Sequence, residues 1–373
     1  MSPRTEEDAV AWLRLIRSEN VGAATFHALL GRYGTAAAAL DALPALAAAG
    51  GLKRPIRIAE RGAVLREVET ADRIGARHVF LGGPGYPPSL AAIHAPPPVL
   101  MVRGDLEILT RRPIAVVGAR KASSVGTTIA GTLAAAFADH GHAVVSGLAT
   151  GIDTAAHKAA LAGGTVAALA GGVDRPTPET NTALAEEIIR TGALISEMPL
   201  GWSPYARDFP RRNRLIAGLS EAVVVVEAAA NSGALHTARF ALDENRDLFA
   251  VPGSPLDPRA AGCLRLLRDG ASMAIDAEDV LQALRPQQDT GQFAEDPPPA
   301  FAVPVAFEDD PHPGTIERIA DSLSLSPIAI DTLARSTGLP VGEVLAALVE
   351  LELGGRAEIE PDGTARLCPA ATA

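Results

Sequence analysis

Residues 209–227 read FPRRNRLIAGLSEAVVVVE, three arginines and an asparagine running into an apolar helical stretch and then into a run of buried-strand character. A helix feeding an apolar strand in this way is one half of a parallel-sheet unit, and it sets fixed positive charge at the mouth of the sheet. Arginine presents a planar fork of donors matched to phosphate or carboxylate, so Arg211, Arg212 and Arg214, with the Asn213 amide between them, form a candidate anion site. For a lone arginine a solvated loop with ordinary ion pairs is the better explanation. The position of this cluster, where ligands bind in open α/β sheets, favours the anion site.

Outward from this stretch, from residue 113 to about 285, apolar strands alternate with helical segments, the pattern of βαβ units and an α/β fold. Strands are predicted at 114–117, 143–146, 165–169, 193–196, 222–226 and 248–251. The first ends at Gly118, and its turn, GARKASSVG, leads into a helix at about Val125 with Ser123 or Ser124 able to cap it beside a phosphate. A dinucleotide site would carry G-x-G-x-x-G here and an acidic residue at the end of the second strand. This chain has Gly118 then Gly126, and its second strand ends in Ser146-Gly147, so NAD is not expected, nor is any other cofactor. Arg120 and Lys121 put two cations in the turn instead, which suits a chain of phosphates.

The second turn, SGLATGIDTAAHKAAL from Ser146, offers Gly147, Gly151 and a helix start with Asp153 as the expected N-cap. Asp153 and His157 fall on one helix face, but no third ligand stands at metal-binding spacing. A capping carboxylate and a histidine bonded to a neighbouring loop explain the pair better than a metal or an acid/base couple. The third turn, AGGVDRPTPETN, carries Gly171, Gly172 and Asn181, and the strand at 222–226 is followed by Glu227 and NSGALHTARFAL, with Ser232 and Gly233 before a helix at Ala234. Four small-residue turns on one edge, fringed with arginine, predict a long backbone-lined surface. Phe209 is the candidate base-stacking platform, with core packing as an equal alternative.

The flanks differ in character. Residues 1–80 read as a helical domain in which Asn20-Val21-Gly22 fits either a helix-hairpin-helix or a plain helical hairpin, the short glycine signal favouring the latter. Residues 81–112, rich in proline and glycine, read as an ordered connector, and 286–312 as an acidic, proline-rich linker. Residues 313–373 show helix, turn, helix and then a hairpin about Pro361-Asp362-Gly363, a winged-helix plan. Its second helix, VGEVLAALVELEL, lacks the basic or amide face that reads a major groove, which points to protein docking rather than duplex DNA.

Net charge is −11 over 373 residues, which on its face argues against a polyanionic ligand. By region, residues 1–110 carry a net +1, 111–285 a net −1, 286–312 a net −6 and 313–373 a net −5, so the acidity lies outside the predicted sheet. Two distant cysteines, Cys263 and Cys368, read as free thiols in a reducing compartment. With no basic-then-apolar leader and no apolar run of membrane-spanning length, a cytoplasmic protein is expected.

Taken together, VVGARKAS with Gly126, SGLATGIDTAAHKAAL, the spaced Gly171, Asp174, Pro178 and Asn181, SEMPLG, FPRRNRLIAGLS, VVEAAANSGALHTA and VPGS with Gly262 resemble the DprA/Smf DNA-processing proteins. The resemblance is dense over 113–275 and looser in the flanks. It implies an extended Rossmann-like core that binds single-stranded DNA and loads RecA recombinase in natural transformation, a homodimer, and binding without catalysis. It assigns DNA contact to Arg120, Arg212 and Arg214. Thr177, Glu179, His236 and Leu264 depart from the family pattern, which weakens the expected part of the third turn in DNA binding. The rival expectation is a nucleotide-cleaving enzyme like the lysine-decarboxylase-like phosphoribohydrolases, with Glu227, Arg214 and Thr237 as its working residues. A transcription factor acting through the winged helix is disfavoured by the acidic tail.

Overall fold

A computed structural model describes residues 2–285, 311–360 and 362–368. The described residues divide into two units, one formed by residues 66–285 with Ser2, the other by 3–65 with 311–360 and 362–368.

The first unit is built on nine strands: β1 (Ala76–Phe80), β2 (Val99–Gly104), β3 (Pro113–Val117), β4 (Ala143–Ser146), β5 (Thr165–Ala168), β6 (Ala193–Ser196), β7 (Ala222–Val225), β8 (Asp247–Ala250) and β9 (Ser272–Met273). Their order is β1-β2-β6-β5-β4-β3-β7-β8-β9, parallel from β6 through β9. All six predicted strands are present to within one residue at either end. From β3 the chain winds to one side through β4, β5 and β6, then crosses back to β7 on the other side of β3. The direction of winding therefore reverses between β3 and β7, and the loops beyond their carboxyl ends diverge to leave a crevice.

Alternate residues of each strand face opposite layers, and both layers are apolar. Ala115, Val117, Val145 and Val223 pack beneath the helix Asp208–Leu219, while Ile114, Val116, Val144 and Val224 pack beneath Ser124–Asp139 and Ile152–Ala160. Such double coverage explains why these strands appear in sequence as continuous apolar runs rather than as alternating ones.

The division expected at residue 80 and the connector at 81–112 give way to a different arrangement. β1 and β2 join the sheet as an antiparallel pair, β2 bonding to β6 through Met101–Ser196 and Gly104–Ala193. Residues between them form an ordered excursion in which the buried Tyr86 hydroxyl donates to Pro97 O at 2.7 Å. These two strands are short and bracketed by proline and glycine, so the turn signal masks them in sequence. β9, only two residues long, gives no sequence signal of its own.

In the second unit three helices, Glu6–Arg17, Ala23–Tyr33 and Ala36–Ala49, pack with a winged helix made of Pro313–Ser322, Ile330–Thr337, Val341–Leu353 and the sheet β10 (Ile328–Ala329), β11 (Ala357–Ile359) and β12 (Thr364–Leu367) in the order β10-β12-β11. The terminal segments, expected as a helical domain and a winged-helix domain, fall within this one unit. Val341–Leu353 buries residues on both flanks, including Ala346, Ala347, Leu348, Val349 and Leu351. Glu350, 2% exposed, lies 3.7 Å from Arg32 of the N-terminal helices. Asn20 in the glycine turn donates to Leu353 O at 3.2 Å. The linker expected over 286–312 lies, but for its last two residues, outside the described residues.

Candidate nucleic-acid interface

A cleft of about 850 Å³ opens at the switch point, lined by the turn after β3 (Gly118 to Lys121), the turn after β7 (Ala229 to Ala234), the start of Asp208–Leu219, and Pro258 and Arg259 beyond β8. Val117 at the end of β3 reaches it from the sheet, and the rest of its wall is loops and helix starts at the carboxyl ends of the strands.

Arg120 is the central cation. Its side chain is exposed, and its guanidinium carbon sits 5.2 Å from the centre of the Phe209 ring. Among the described residues no carboxylate pairs with it. A cation held over an aromatic face keeps its charge and its donors available while losing much of its rotational freedom. Lys121, exposed, stands beside it on the same rim. Asn213, half-buried, lines the cleft and donates to Gly233 O at 3.3 Å, and Ser232 and Gly233 line it from the opposite turn.

Arg212 and Arg214 are placed differently from the open phosphate fork that the sequence suggests. Arg214 is 2% exposed, lies outside the cleft lining, and donates to Ala95 O at 3.1 Å and to Glu197 at 2.5 Å. Arg212, 6% exposed, donates to Gly147 O and to Ala168 O, the latter at 2.9 Å, and reaches the cleft only as part of its wall. The helix turns 100° per residue, so alternate members of an RRNR run cannot share a face. Arg211 lies 3.8 Å from Glu197 and also leaves the cleft.

The second turn is closed upon itself. Asp153 is the second residue of its helix rather than the N-cap, which is Gly151, and the Asp153 carboxylate accepts from Gly147 N at 3.1 Å and Ala149 N at 3.3 Å. Leu148 N donates to His157 Nε2 at 3.3 Å, and His157 Nδ1 lies 2.7 Å from Thr165 Oγ1, whose own proton goes to Val144 O. That chain assigns a neutral ring with its proton on Nδ1. Burial pushes His157 down to about 3, and the nearby Arg212 charge acts in the same direction. Burial pushes the Asp153 carboxyl up, opposed by Arg212 and by the loop amides. Asn181 donates to Leu148 O at 2.8 Å and to Thr154 Oγ1 at 2.9 Å, and Thr154 donates to Ala149 O. Every amide and carbonyl of residues 147–149 therefore has a partner inside the protein, and the Asn181 amide nitrogen is committed to the same loop.

The third turn, 170–181, contributes no residue to the cleft wall, and Glu179 is exposed away from it. Ser123 caps Ser124–Asp139 through Gly126 N at 2.8 Å, while its own N–H and hydroxyl donate to Glu227. Glu227 is thus committed to Ser123 and Arg214 to Glu197, so the trio required for nucleotide cleavage is not assembled at the cleft; of the three, only Thr237 lines it. Sequence reasoning missed Arg259, which is exposed on the cleft rim and paired with Asp257 at 2.8 Å. Its signal was its place, in the loop after β8, beside the switch point. His236, noted only as a departure from the family pattern, also lines the cleft.

The family of DNA recombination-mediator protein A matches residues 77–285, the DprA-like N-terminal HHH domain 6–70, and the DprA winged helix domain 306–363. Protein Smf of Escherichia coli is 39% identical over 289 residues, 76% of this chain and 75% of that protein. DNA processing protein DprA of Bacillus subtilis is 38% identical over 213 residues, 56% and 72% of the two chains. The X-ray structure of DprA from Streptococcus pneumoniae superposes with a TM-score of 0.61 at 30% identity, covering 74% of this chain and 97% of that one. The Helicobacter pylori DprA structure, described for its single-stranded DNA binding mode, gives 0.52 at 28% identity over 56% and 95%. Sheet, helical module, winged helix and sequence agree, and the chain belongs to the DprA/Smf family of DNA-processing proteins.

Proposed function

We propose that the chain binds single-stranded DNA along the switch-point cleft, holding the strand without covalent chemistry and, as a cytoplasmic homodimer, passing it to RecA recombinase during natural transformation. One observation carries the DNA assignment. Arg120 is a fixed cation, unpaired with any carboxylate among the described residues, set over Phe209 beside Lys121 at the mouth of the cleft. Phosphates neutralise such cations with release of counterions, and an aromatic surface beside them accepts an unstacked base irrespective of sequence. The resemblance of the H. pylori relative, whose structure is described for single-stranded DNA binding, supports the reading. The RecA and transformation roles, like the homodimer, rest on the family alone.

The test is a titration of labelled oligo(dT) and of a duplex with the wild type and with Arg120→Ala. Single strands should bind more tightly than duplex, and loss of Arg120 should weaken single-strand binding about tenfold or more, the scale of a charged contact. Equal affinity of wild type and variant would refute the assignment. For the later steps, a shortened lag in RecA filament formation on the bound strand is expected. A solution mass near the 38.4 kDa of one chain, rather than twice that, would refute the dimer.

A further inference from the structure

The head of the second turn is heavily bonded, the amides of Gly147, Leu148 and Ala149 all donating to buried side chains of the protein. Leu148 sits at φ +58° and Gly151 at φ +82°, the first an unusual conformation for a side-chain-bearing residue. Four buried side chains hold this conformation: Arg212 on Gly147 O, Asp153 on two amides, His157 on Leu148 N, and Asn181 on Leu148 O. What the held loop touches next is the first turn. Thr150 Oγ1 donates to Arg120 O at 3.2 Å, and Ile152 N donates to Ala119 O at 3.2 Å. A Cβ at Gly151 would come within 2.7 Å of Arg120 O, so the two turns are in backbone contact.

We infer that the loop 147–152 with its buried support, Asp153, His157, Asn181 and Arg212, is a positioning device for Arg120, and that Thr150 is its terminal contact. The inference rests on the proposed binding of single strands by Arg120. Asp208–Leu219 acts on the same cation from two sides. Phe209 meets the guanidinium, and Arg212, three residues on, anchors the loop that meets the Arg120 backbone. Backbone and side chain of one exposed arginine are thereby tied to a single rigid helix, and a donor held in place binds with less loss of entropy than a free one.

A double-mutant cycle on oligo(dT) affinity tests this, with Thr150→Val and Asp153→Asn each made alone and in an Arg120→Ala background. Thr150 is exposed, so its variant leaves the core intact even if Asp153→Asn does not fold. Each variant should weaken binding about threefold to tenfold when Arg120 is present and less than about twofold when it is absent, with the coupling typical of directly linked groups. The dependence of log affinity on log salt should shallow by up to about 0.7, the share of one phosphate contact on a single strand. A purely structural role would lower the melting temperature and leave the salt slope unchanged. Equal losses in both backgrounds would overturn the inference and mark Thr150 as a separate contact; no loss from Thr150→Val would overturn it as well. If Arg120→Ala itself changes nothing, the DNA-binding reading fails instead, so the two failures are distinct.

Discussion

Arg212 separates what its sequence suggests from what its burial requires, and replacing it with methionine gives opposite outcomes under the two readings. Its guanidinium donates to Gly147 O and Ala168 O and stands beside the buried Asp153. Removing it leaves one carbonyl at the head of the second turn and one at the end of β5 without their donors, and a carboxyl without its cation. Two unsatisfied buried acceptors cost about 1–3 kcal/mol each, and stripping one partner from a buried charge pair costs about 3–5 kcal/mol in all. These overlap rather than add, so a loss of about 4 kcal/mol is expected from a total of about 5–15 kcal/mol. For a unit of this size that is a fall in Tm of roughly 8–16 °C at about 2–4 °C per kcal/mol. Arg212→Lys should fall between wild type and methionine, because the shorter lysine stem keeps a charge near Asp153 but does not carry its ammonium to the place where Arg212 Nη1 meets both carbonyls. Adding Asp153→Asn to Arg212→Met should recover part of the loss by removing the unpaired charge. Calorimetry would be run beside oligo(dT) titration at a temperature where the variant is folded. A variant that melts within about 1 °C of wild type yet loses single-strand binding would refute the scaffold assignment and restore Arg212 as a phosphate ligand.

Gly126→Ala should destabilise the sheet unit by about 1–3 kcal/mol, the usual cost of overpacking, because its Cβ would stand within 2.7 Å of both Glu227 carboxylate oxygens and displace them from Ser123; urea denaturation measures this. His157 binds its proton only below about pH 3 when folded but near pH 6.5 when unfolded, so the unfolded state takes up more protons between those values and stability falls as pH drops through that window. The slope from this group should reach about 1.4 kcal/mol per pH unit, and denaturation midpoints across that window should flatten in His157→Gln. Arg259→Ala should reduce the salt dependence of oligo(dT) binding by up to about 0.7 in log units while leaving the melting temperature within about 1 °C, since its ion pair with Asp257 is exposed and weak. An unchanged salt slope would remove Arg259 from the interface.

The parallel core was legible in the sequence because strands covered on both faces are apolar throughout, and a run such as AVVVV has no other stable place in a protein of this composition. The turns were legible as well, since glycine, serine and asparagine after each strand mark where the backbone must change direction. A capping serine was legible for the same local reason, although Ser123 and Ser124 were equal candidates and only the structure shows Ser123 accepting from Gly126 N. β1 and β2 were not legible, because an edge pair closed across Tyr86 and Pro97 depends on β6, about ninety residues further along the chain. Nor was the union of the N-terminal helices with the winged helix, whose apolar surfaces carry no mark of their partner.

The functional residues divide along the same line. Composition and local spacing alone determined which side chains could meet a polyanion, and Arg120, Lys121, Phe209, Asn213, Ser232 and Gly233 do line one cleft. The tertiary structure decided which arginines are free to do so. Arg120 sits on a turn whose carbonyls are held from below, leaving its guanidinium in solvent. Arg212 and Arg214 face a core of carbonyls and a carboxylate, and there the cost of an unsatisfied buried charge commits them to the protein itself. A residue's chemistry is written in its side chain, but its availability is set by the desolvation around it, and that depends on chain segments far away in sequence.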